Sequence, residues 1–223
     1  GDKNILDVMA DFDGSKISAY EALKLLLNRA VGLILSEETL KKDSFTEKDN
    51  EFVTRNFYKA VMAIGDAAMM LEGCYHYSYL RRLELMKKLA DSDIIRRLDI
   101  YEDYLDCMEY KLRPKRNIFD ADRLAAMIDE LKDKLMVMFY KSAAAVKGKS
   151  ETVNYEIFAM GFLNEYSPKA LVKNFILNIK SFGVSGFNPV WMFKYPRYRL
   201  FYCMPFFIGS KDKPSLGKVS RAL

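Results

Sequence analysis

The stretch Ser18–Glu38, SAYEALKLLLNRAVGLILSEE, decides the fold class of this chain. Its apolar residues recur at about every third or fourth position, which is the period of an amphipathic α-helix. They are Leu23, Leu26, Leu27, Ala30, Val31, Ile34 and Leu35. Ser18 and Glu21 have the spacing of a capping box, in which two side chains satisfy the first free N–H groups of a helix. The stretch therefore predicts a helix from about Ser18 to Ser36 that buries one face.

The same period continues along most of the chain. Residues 44–73 predict a second helix with a capping box at Ser44 and Glu47, a close helix contact at Gly65 and an end at Gly73. Further helices are predicted at 79–89, from Asp93 to about Leu112, from Asp120 to Gly148, within 151–165 and from Pro168 to Gly183. Because no run of alternating strands appears, the sequence predicts an all-α helical bundle.

The composition changes after Gly183. Residues 184–208 are rich in aromatic side chains and contain prolines, so neither a long helix nor a regular strand is expected, apart from a short helix around 199–208. The sequence predicts an N-terminal linker at 1–17, a bundle domain at 18–183 and an aromatic-rich extension at 184–223. We expect this extension to pack on the bundle and to end in a basic tail. Its segment 187–207 is an alternative interface for a homodimer.

The composition also restricts the class of protein. Half of the 223 residues are apolar, which is enough for a core without disulfides or metals. The three cysteines, Cys74, Cys107 and Cys203, are far apart in the chain, so we expect neither a disulfide framework nor a zinc site and we favour a reducing cytoplasm. No apolar run is long enough to predict a membrane partner. Because the chain begins at Gly1, we expect it to be a processed or excised piece.

The common catalytic motifs are missing from the sequence. There is one histidine, and Gly-x-Ser-x-Gly, Walker and Gly-x-Gly-x-x-Gly motifs are absent. Asp11 and Asp13 lack the third carboxylate of a magnesium site, so they predict a polar linker with an Asp-Gly turn. Cys74 and His76 lack an orienting partner, so a cysteine nucleophile is not expected. We expect this chain alone to carry no cofactor, no metal and no catalytic residue.

Polar side chains interrupt the apolar faces of the first two predicted helices. Arg55, Lys59 and Asp66 fall on nearly one line of the second helix, where a buried charge is costly unless it is paired. Lys59 and Asp66 either line a pocket or lie on a solvated face. Asn28 and Arg29 pose the same question on the first helix, because a guanidinium suits a carboxylate or a phosphate. The alternative for Arg29 is a structural bridge to an acid such as Asp66.

The stretch YHYSYLRR at 75–82 joins the second and third predicted helices. Free amides at the helix start near Ser78, aromatic rings and guanidinium groups would together suit an anionic ligand that carries a base. The alternative is that the tyrosines are packing residues with their hydroxyls in water. The candidate substrate-binding residues are Asn28, Arg29, Lys59, Asp66, Tyr75, His76, Tyr79 and Arg82.

Two stretches and the aromatic C-terminal run carry a family resemblance: LKLLLNRAVGLIL at 23–35 and NFYKAVMAIGDAAMMLEGCYHYSYLRRLELM at 56–86. Together they resemble the helical C-terminal region of prokaryotic nucleotidyltransferase-like proteins, whose helical part is similar to HEPN domains. The shared positions are Asn28, Arg29, Lys59, Asp66, Tyr75, His76, Ser78, Tyr79 and Arg82. The resemblance implies a HEPN-like bundle that binds a nucleotide, a phosphorylated small molecule or RNA.

The resemblance also implies that catalysis and substrate binding lie in separate domains. In such proteins a preceding sheet domain, with a Gly-Ser turn and a paired-aspartate strand, performs metal-assisted nucleotidyl transfer. This sequence lacks that module, so the resemblance implies a non-catalytic accessory or substrate-binding domain. Magnesium and a nucleoside triphosphate are implied only where a catalytic domain precedes it.

Two alternatives stay open. One is a structural or oligomerisation module, and the other is a HEPN-like RNA-binding or ribonuclease domain. HEPN ribonucleases carry an arginine shortly before a histidine on one helix. Here the nearest upstream arginine is Arg55, far from His76, which departs from that pattern.

Overall fold

The computed structural model describes residues 13–113, 119–147, 168–189, 191–196 and 208. The chain divides into two compact units, Gly1–Glu151 and Thr152–Leu223. All regular structure within the described residues is helical, and no strand occurs in them. The predicted all-α class is therefore confirmed for this part of the chain.

No helix in those ranges is both long and apolar enough to cross a membrane.

The first unit has six α-helices in its described ranges. They are α1 Ala19–Leu40, α2 Glu47–Leu71, α3 Tyr79–Leu89, α4 Asp93–Leu98, α5 Tyr101–Leu112 and α6 Ala121–Lys147. Helices α1, α2 and α6 pack against one another, α5 packs on α2, and α3 packs on both α2 and α5. The largest fully buried side chains include Leu23, Leu26, Ile64, Tyr104 and Phe139. This arrangement confirms the predicted bundle.

The start of α2 differs from the predicted one. The predicted box at Ser44 and Glu47 is wrong, because Thr46 is the N-cap of α2. The Thr46 hydroxyl accepts a hydrogen bond from the Asp49 N–H at 3.3 Å, and the Asp49 carboxylate accepts one from the Thr46 N–H at 3.0 Å. Thr46 and Asp49 have the same spacing as the predicted pair and satisfy two free donors reciprocally. Ser18 is the N-cap of α1, as predicted, but the predicted capping box with Glu21 does not form, because the Ser18 side chain makes no cap hydrogen bond.

The single helix predicted from Asp93 to Leu112 is also wrong. Helix α4 ends at Leu98, its C-cap Asp99 has a φ of 45° in the left-handed region, and α5 then begins at Tyr101. Leu98 and Ile100, on either side of the break, are both buried. Residues two apart on a continuous helix do not share a face, so the break lets both side chains reach the core.

Two glycines act as the sequence predicts. Gly73 follows α2 with a φ of 65°, and its N–H donates to the carbonyl of Met70 at 3.2 Å. This conformation ends the helix at little cost because glycine has no Cβ. Gly65 lies where α2 meets other elements, and a Cβ there would overlap the ring of Tyr104 and the terminal methyl of Met86.

The second unit is described over a shorter range. Helix α7, Pro168–Phe182, is followed by a 3-10 helix at Gly183–Phe187, and Gly183 has the expected positive φ of 57°. The side-chain amide of Asn178 donates to the carbonyl oxygens of Met192 at 3.2 Å and Lys194 at 2.6 Å. These bonds tie residues 191–196 to α7.

Several predictions lie outside the described residues. They are the helix within 151–165, the basic tail, and most of the aromatic extension, including its short helix around 199–208 and the homodimer interface at 187–207. The domain boundaries at 17 and 183 likewise stay predictions.

Candidate functional site

A buried polar network joins three helices of the first unit. Asp66 of α2 forms an ion pair with Arg82 of α3, and its other oxygen accepts a hydrogen bond from the Tyr104 hydroxyl of α5 at 2.9 Å. Asp66 is 5% exposed, Arg82 is 3% exposed and Tyr104 is fully buried. A buried charge needs such partners because it has lost its contact with water.

The partner of Asp66 is therefore not the predicted one. The predicted bridge from Arg29 is wrong, because the guanidinium that reaches Asp66 comes from Arg82 on α3. Arg29, half-buried on α1, lies near enough for its charge to act against the rise in the pKa of Asp66. The proposed pocket shared by Lys59 and Asp66 does not form either, since Lys59 is exposed while Asp66 is buried.

Burial dominates the electrostatics of the network. Loss of water raises the pKa of Asp66 to about 6, although the charge of Arg82 and the hydrogen bond from Tyr104 act in the opposite direction. Burial and the neighbouring charge of Asp66 also raise the pKa of Tyr104, so its hydroxyl keeps the proton that it donates. Asp66 and Arg82 are both charged at neutral pH, but burial makes the charged form of Asp66 less favourable than it would be in water.

Aromatic rings flank the buried arginine. The guanidinium carbon of Arg82 lies 4.3 Å from the ring centroid of Tyr79 and 5.4 Å from that of Tyr75. The Tyr79 ring is 36% exposed and also lies 5.4 Å from the ammonium group of Lys111. Tyr79 thus connects the buried ion pair to a cation at the surface through cation–π contacts.

His76 has a local role in the loop before α3. Its Nδ1 accepts a hydrogen bond from the Ser78 N–H at 3.0 Å, and its ring stacks on Tyr77 with centroids 4.3 Å apart. Burial raises the pKa of the neighbouring Cys74 thiol, which lowers its fraction of reactive thiolate. These contacts shape the loop and do not assemble a nucleophile with a base.

Four cationic side chains gather beside this network, and we name them the cationic cluster: Arg29 of α1, Arg55 and Lys59 of α2, and Lys111 of α5. Burial and the nearby charges of Arg29, Arg55 and Lys111 lower the pKa of Lys59. Within the described ranges, no carboxylate forms an ion pair with any of the four. With no carboxylate at ion-pair distance, the four side chains make this part of the surface locally positive.

Helix packing explains why α1 approaches this part of α2. A Cβ at Gly32 of α1 would lie 3.1 Å from Oδ1 of Asn56 of α2, so the two backbones come close at that level. The short connection between α1 and α2 makes them antiparallel. Arg29, one turn before Gly32, and Lys59, one turn after Asn56, therefore face each other.

A second contact adds α5 to the same place. The rings of Tyr58 on α2 and Tyr110 on α5 stack with centroids 4.4 Å apart, and the thiol of Cys107 donates to the carbonyl of Tyr58. Lys59 and Lys111 each follow one of these stacked tyrosines directly. The stacking therefore brings the two lysines to neighbouring positions.

The structure divides the eight predicted site residues among several environments. Asp66 and Arg82 are buried partners, Tyr75 and Tyr79 flank Arg82, Arg29 and Lys59 belong to the cationic cluster, His76 lies in the loop, and Asn28 is exposed on α1. Sequence reasoning left Arg55, Tyr104 and Lys111 out of the site. Tyr104 follows the apolar period of α5, but no sequence signal connects it or Lys111 to α2.

Comparison of the chain with protein-family models, with curated proteins and with solved structures finds no match in any of the three.

Proposed function

We propose that this chain is a non-catalytic helical accessory or substrate-binding domain of a nucleotidyltransferase-type protein, and that it binds a phosphate-bearing ligand at the cationic cluster. One observation carries the proposal: three helices bring four cations together, and no carboxylate of the described residues pairs with them. Like charges at close range oppose folding. A bound anion would remove that repulsion and turn it into affinity.

The composition of the cluster favours phosphate over a single carboxylate. Arg29 and Arg55 offer guanidinium groups, which bind phosphate oxygens through two parallel hydrogen bonds, and Lys59 and Lys111 add compact charges. Four positive charges match a ligand that carries several negative ones. A nucleoside di- or triphosphate, a phosphorylated small molecule and a short stretch of RNA backbone all meet this requirement.

The buried network of Asp66, Arg82 and Tyr104 fixes the position of a side chain that contacts the cationic cluster. Arg82 holds the ring of Tyr79 by a cation–π contact, and the same ring lies beside Lys111. Asp66 holds Arg82 in place through their ion pair. Asp66 and Arg82 are thus positioning residues, and the cationic cluster is the part that contacts the ligand.

Isothermal titration calorimetry at low salt tests this function with three probes: ATP, inorganic tripolyphosphate and a short single-stranded RNA. We expect saturable binding of at least one probe, with an affinity that falls as salt rises. Arg29→Gln and Arg55→Gln should each weaken binding by about tenfold or more, as expected for loss of a charge-assisted contact. Lys87→Gln is the matched control, because Lys87 is exposed on α3 outside the cluster.

The three probes also separate the ligand classes. Equal affinity for ATP and tripolyphosphate would assign recognition to the phosphates alone, whereas tighter binding of ATP would add a base contact. Cleaved RNA after incubation would favour the ribonuclease alternative over a binding domain. Failure of all three probes to bind, or equal binding by the wild type and Arg29→Gln, would refute the proposed function.

A further inference from the structure

Lys59 differs in its charged neighbours from several other lysines of the bundle. Other lysines of the bundle have carboxylate partners at short range: Lys41 with Glu38 at 2.8 Å, Lys42 with Asp49 at 2.6 Å, Lys132 with Asp129 at 2.9 Å and Lys134 with Glu130 at 2.7 Å. Lys59 lies one turn of α2 from Arg55 and faces Arg29 of α1, and it has no carboxylate partner in the described part of the chain.

This difference affects the reactivity of the amine. Only a neutral amine is a nucleophile, and a carboxylate partner holds the proton on an ammonium group. The hydrogen bond to Glu38 raises the pKa of Lys41, whereas burial and the neighbouring cations lower the pKa of Lys59. Lys59 is also exposed, so a small reagent can reach it.

The neighbouring cations also select the reagent. Arg29, Arg55 and Lys111 suit a phosphate group, and a phosphate held by them would place its attached atoms beside Lys59. We propose that Lys59 is a site of acylation by acyl phosphates, the small molecules in which a carboxylic acid is joined to phosphate by an anhydride bond. The inference rests on the same cationic cluster as the proposed function.

The reaction needs no further reagent. Lys59 loses its ammonium proton to water, and the lone pair of Nζ attacks the carbonyl carbon of the acyl phosphate. A C–N bond forms, the bond between the carbonyl carbon and the bridging oxygen breaks, and inorganic phosphate leaves with that electron pair. The remaining excess proton on nitrogen passes to solvent or phosphate, which leaves a neutral amide. The cationic cluster stabilises the negative charge that develops on the leaving oxygen.

Acylation of Lys59 would in turn weaken ligand binding by the cationic cluster. The amide carries no charge, so Lys59 would no longer attract a phosphate and would no longer repel its three cationic neighbours. A modified chain should therefore bind the phosphate-bearing ligand more weakly than the unmodified chain. The modification would act as a metabolic control on the proposed binding site.

Time-resolved mass spectrometry of the full chain incubated with acetyl phosphate near neutral pH tests the proposal. We expect Lys59 to be acetylated about fivefold or more faster than Lys87, an exposed lysine of α3 that lies outside the cluster, as expected for a depressed lysine pKa combined with phosphate recruitment. Tripolyphosphate or high salt should slow acetylation of Lys59 and leave Lys87 unchanged, and this control needs no variant. Arg29→Gln with Arg55→Gln should bring the Lys59 rate toward that of Lys87.

An uncharged acetylating reagent, such as an N-hydroxysuccinimide ester, separates recruitment from nucleophilicity. If the cationic cluster binds the phosphate group of the reagent, the preference for Lys59 over Lys87 should be larger with acetyl phosphate than with the ester. Equal preferences with the two reagents, or equal rates at Lys59 and Lys87 with acetyl phosphate, would overturn the proposal. Slow acylation together with intact ATP binding would refute this inference alone, and selective acylation without ligand binding would refute the proposed function alone.

Discussion

Asp66 of α2 and Arg82 of α3 form an ion pair in the interior of the first unit, where both side chains are almost fully buried. Helix α3 buries only two of its side chains, Arg82 and Met86. The ion pair therefore contributes much of the attachment of α3 to the bundle. It also holds the helix whose first residue, Tyr79, lies beside the cationic cluster.

Removal of Arg82 should destabilise the fold strongly. Arg82→Met leaves the Asp66 carboxylate buried without its cation, and we expect the free energy of unfolding to fall by about 3–5 kcal/mol at pH 7. Urea denaturation measures the change. Asp66→Asn should cost a similar amount, because it leaves the guanidinium of Arg82 buried without its anion and an arginine cannot lose its proton to relieve this. The double variant Asp66→Leu with Arg82→Met should be more stable than Arg82→Met alone.

The exposed pair of Arg81 and Glu84 on the same helix supplies the control. Glu84→Gln should cost less than about 1 kcal/mol, because exposed ion pairs contribute little. If Arg82→Met and Glu84→Gln had equal effects, the buried pair would not anchor α3.

The titration of Asp66 should make the fold more stable as the pH falls toward 4. Burial raises its pKa from 3.8 to about 6 in the folded chain. Between about pH 4 and 6 the folded state therefore holds a proton that the unfolded state has lost, and stability decreases as the pH rises through this window. Relative to Asp66→Asn, the wild type should gain about 1–2 kcal/mol between pH 7 and 4.5.

Urea denaturation of both proteins across this pH range checks the sign. Asp49 does not interfere in the window, because its hydrogen bonds with Lys42 and Thr46 lower its pKa to about 2. The stability that Asp49 contributes is present above about pH 4 and is lost only as the pH falls through 2. A constant difference between wild type and Asp66→Asn would show that Asp66 titrates at its ordinary pKa.

Gly65→Ala should destabilise the bundle even though alanine favours helices. The added methyl would overlap the ring of Tyr104 and the end of Met86, both of which are fully buried. We expect overpacking to cost about 1–3 kcal/mol after the gain of about 1 kcal/mol in helix propensity. Thermal and urea denaturation measure this loss.

Gly32→Ala is the matched control for Gly65. Its new methyl would meet the side chain of Asn56 first, with the nearest atom at 3.1 Å, whereas a methyl at Gly65 would overlap the ring of Tyr104. The free energy of unfolding should change little, because the higher helix propensity of alanine offsets the contact with Asn56. Equal costs at Gly32 and Gly65 would argue against the tight contact with Tyr104.

Neutralising Lys59 should stabilise the unliganded chain. Lys59→Gln removes repulsion from Arg29, Arg55 and Lys111, so we expect stability to rise by a few tenths of a kcal/mol at low ionic strength. The gain should vanish near 1 M salt, where the screening length is about 3 Å. Denaturation at two salt concentrations measures it, with Lys87→Gln as the control. A stabilisation that persists at high salt would have another cause than charge repulsion.

The sequence predicts the positions of several helices closely. Helix α3 at 79–89 matches its predicted range, and Gly73 and Gly183 both have the positive φ that the end of a helix requires. These features depend on hydrogen bonds and side-chain directions within about one turn of helix, which the local sequence contains. The apolar surroundings of Asp66 indicated that it would need a charged partner if buried, but a solvated face stayed open as the alternative, and the structure shows Asp66 buried.

Apart from the capping boxes at the starts of α1 and α2, the failures involve residues that meet through packing. The break at Asp99 depends on which side chains the core accepts, and a periodic pattern alone does not reveal it. The choice of Arg82 over Arg29 as the partner of Asp66 depends on where α3 docks on α2. Lys111 joins the cationic cluster because α5 packs on α2, a contact that includes the stacked rings of Tyr58 and Tyr110.

The sequence by itself determined that this chain forms amphipathic helices and where many of them begin and end, because periodicity and capping act over a few residues. The tertiary structure decided which charges are paired in the interior and which remain together at the surface. Those outcomes join residues that are 16 apart, as in Asp66 and Arg82, or 38 apart, as in Asp66 and Tyr104. Over such separations only the packing of whole helices, driven by burial of their apolar faces, sets which side chains meet.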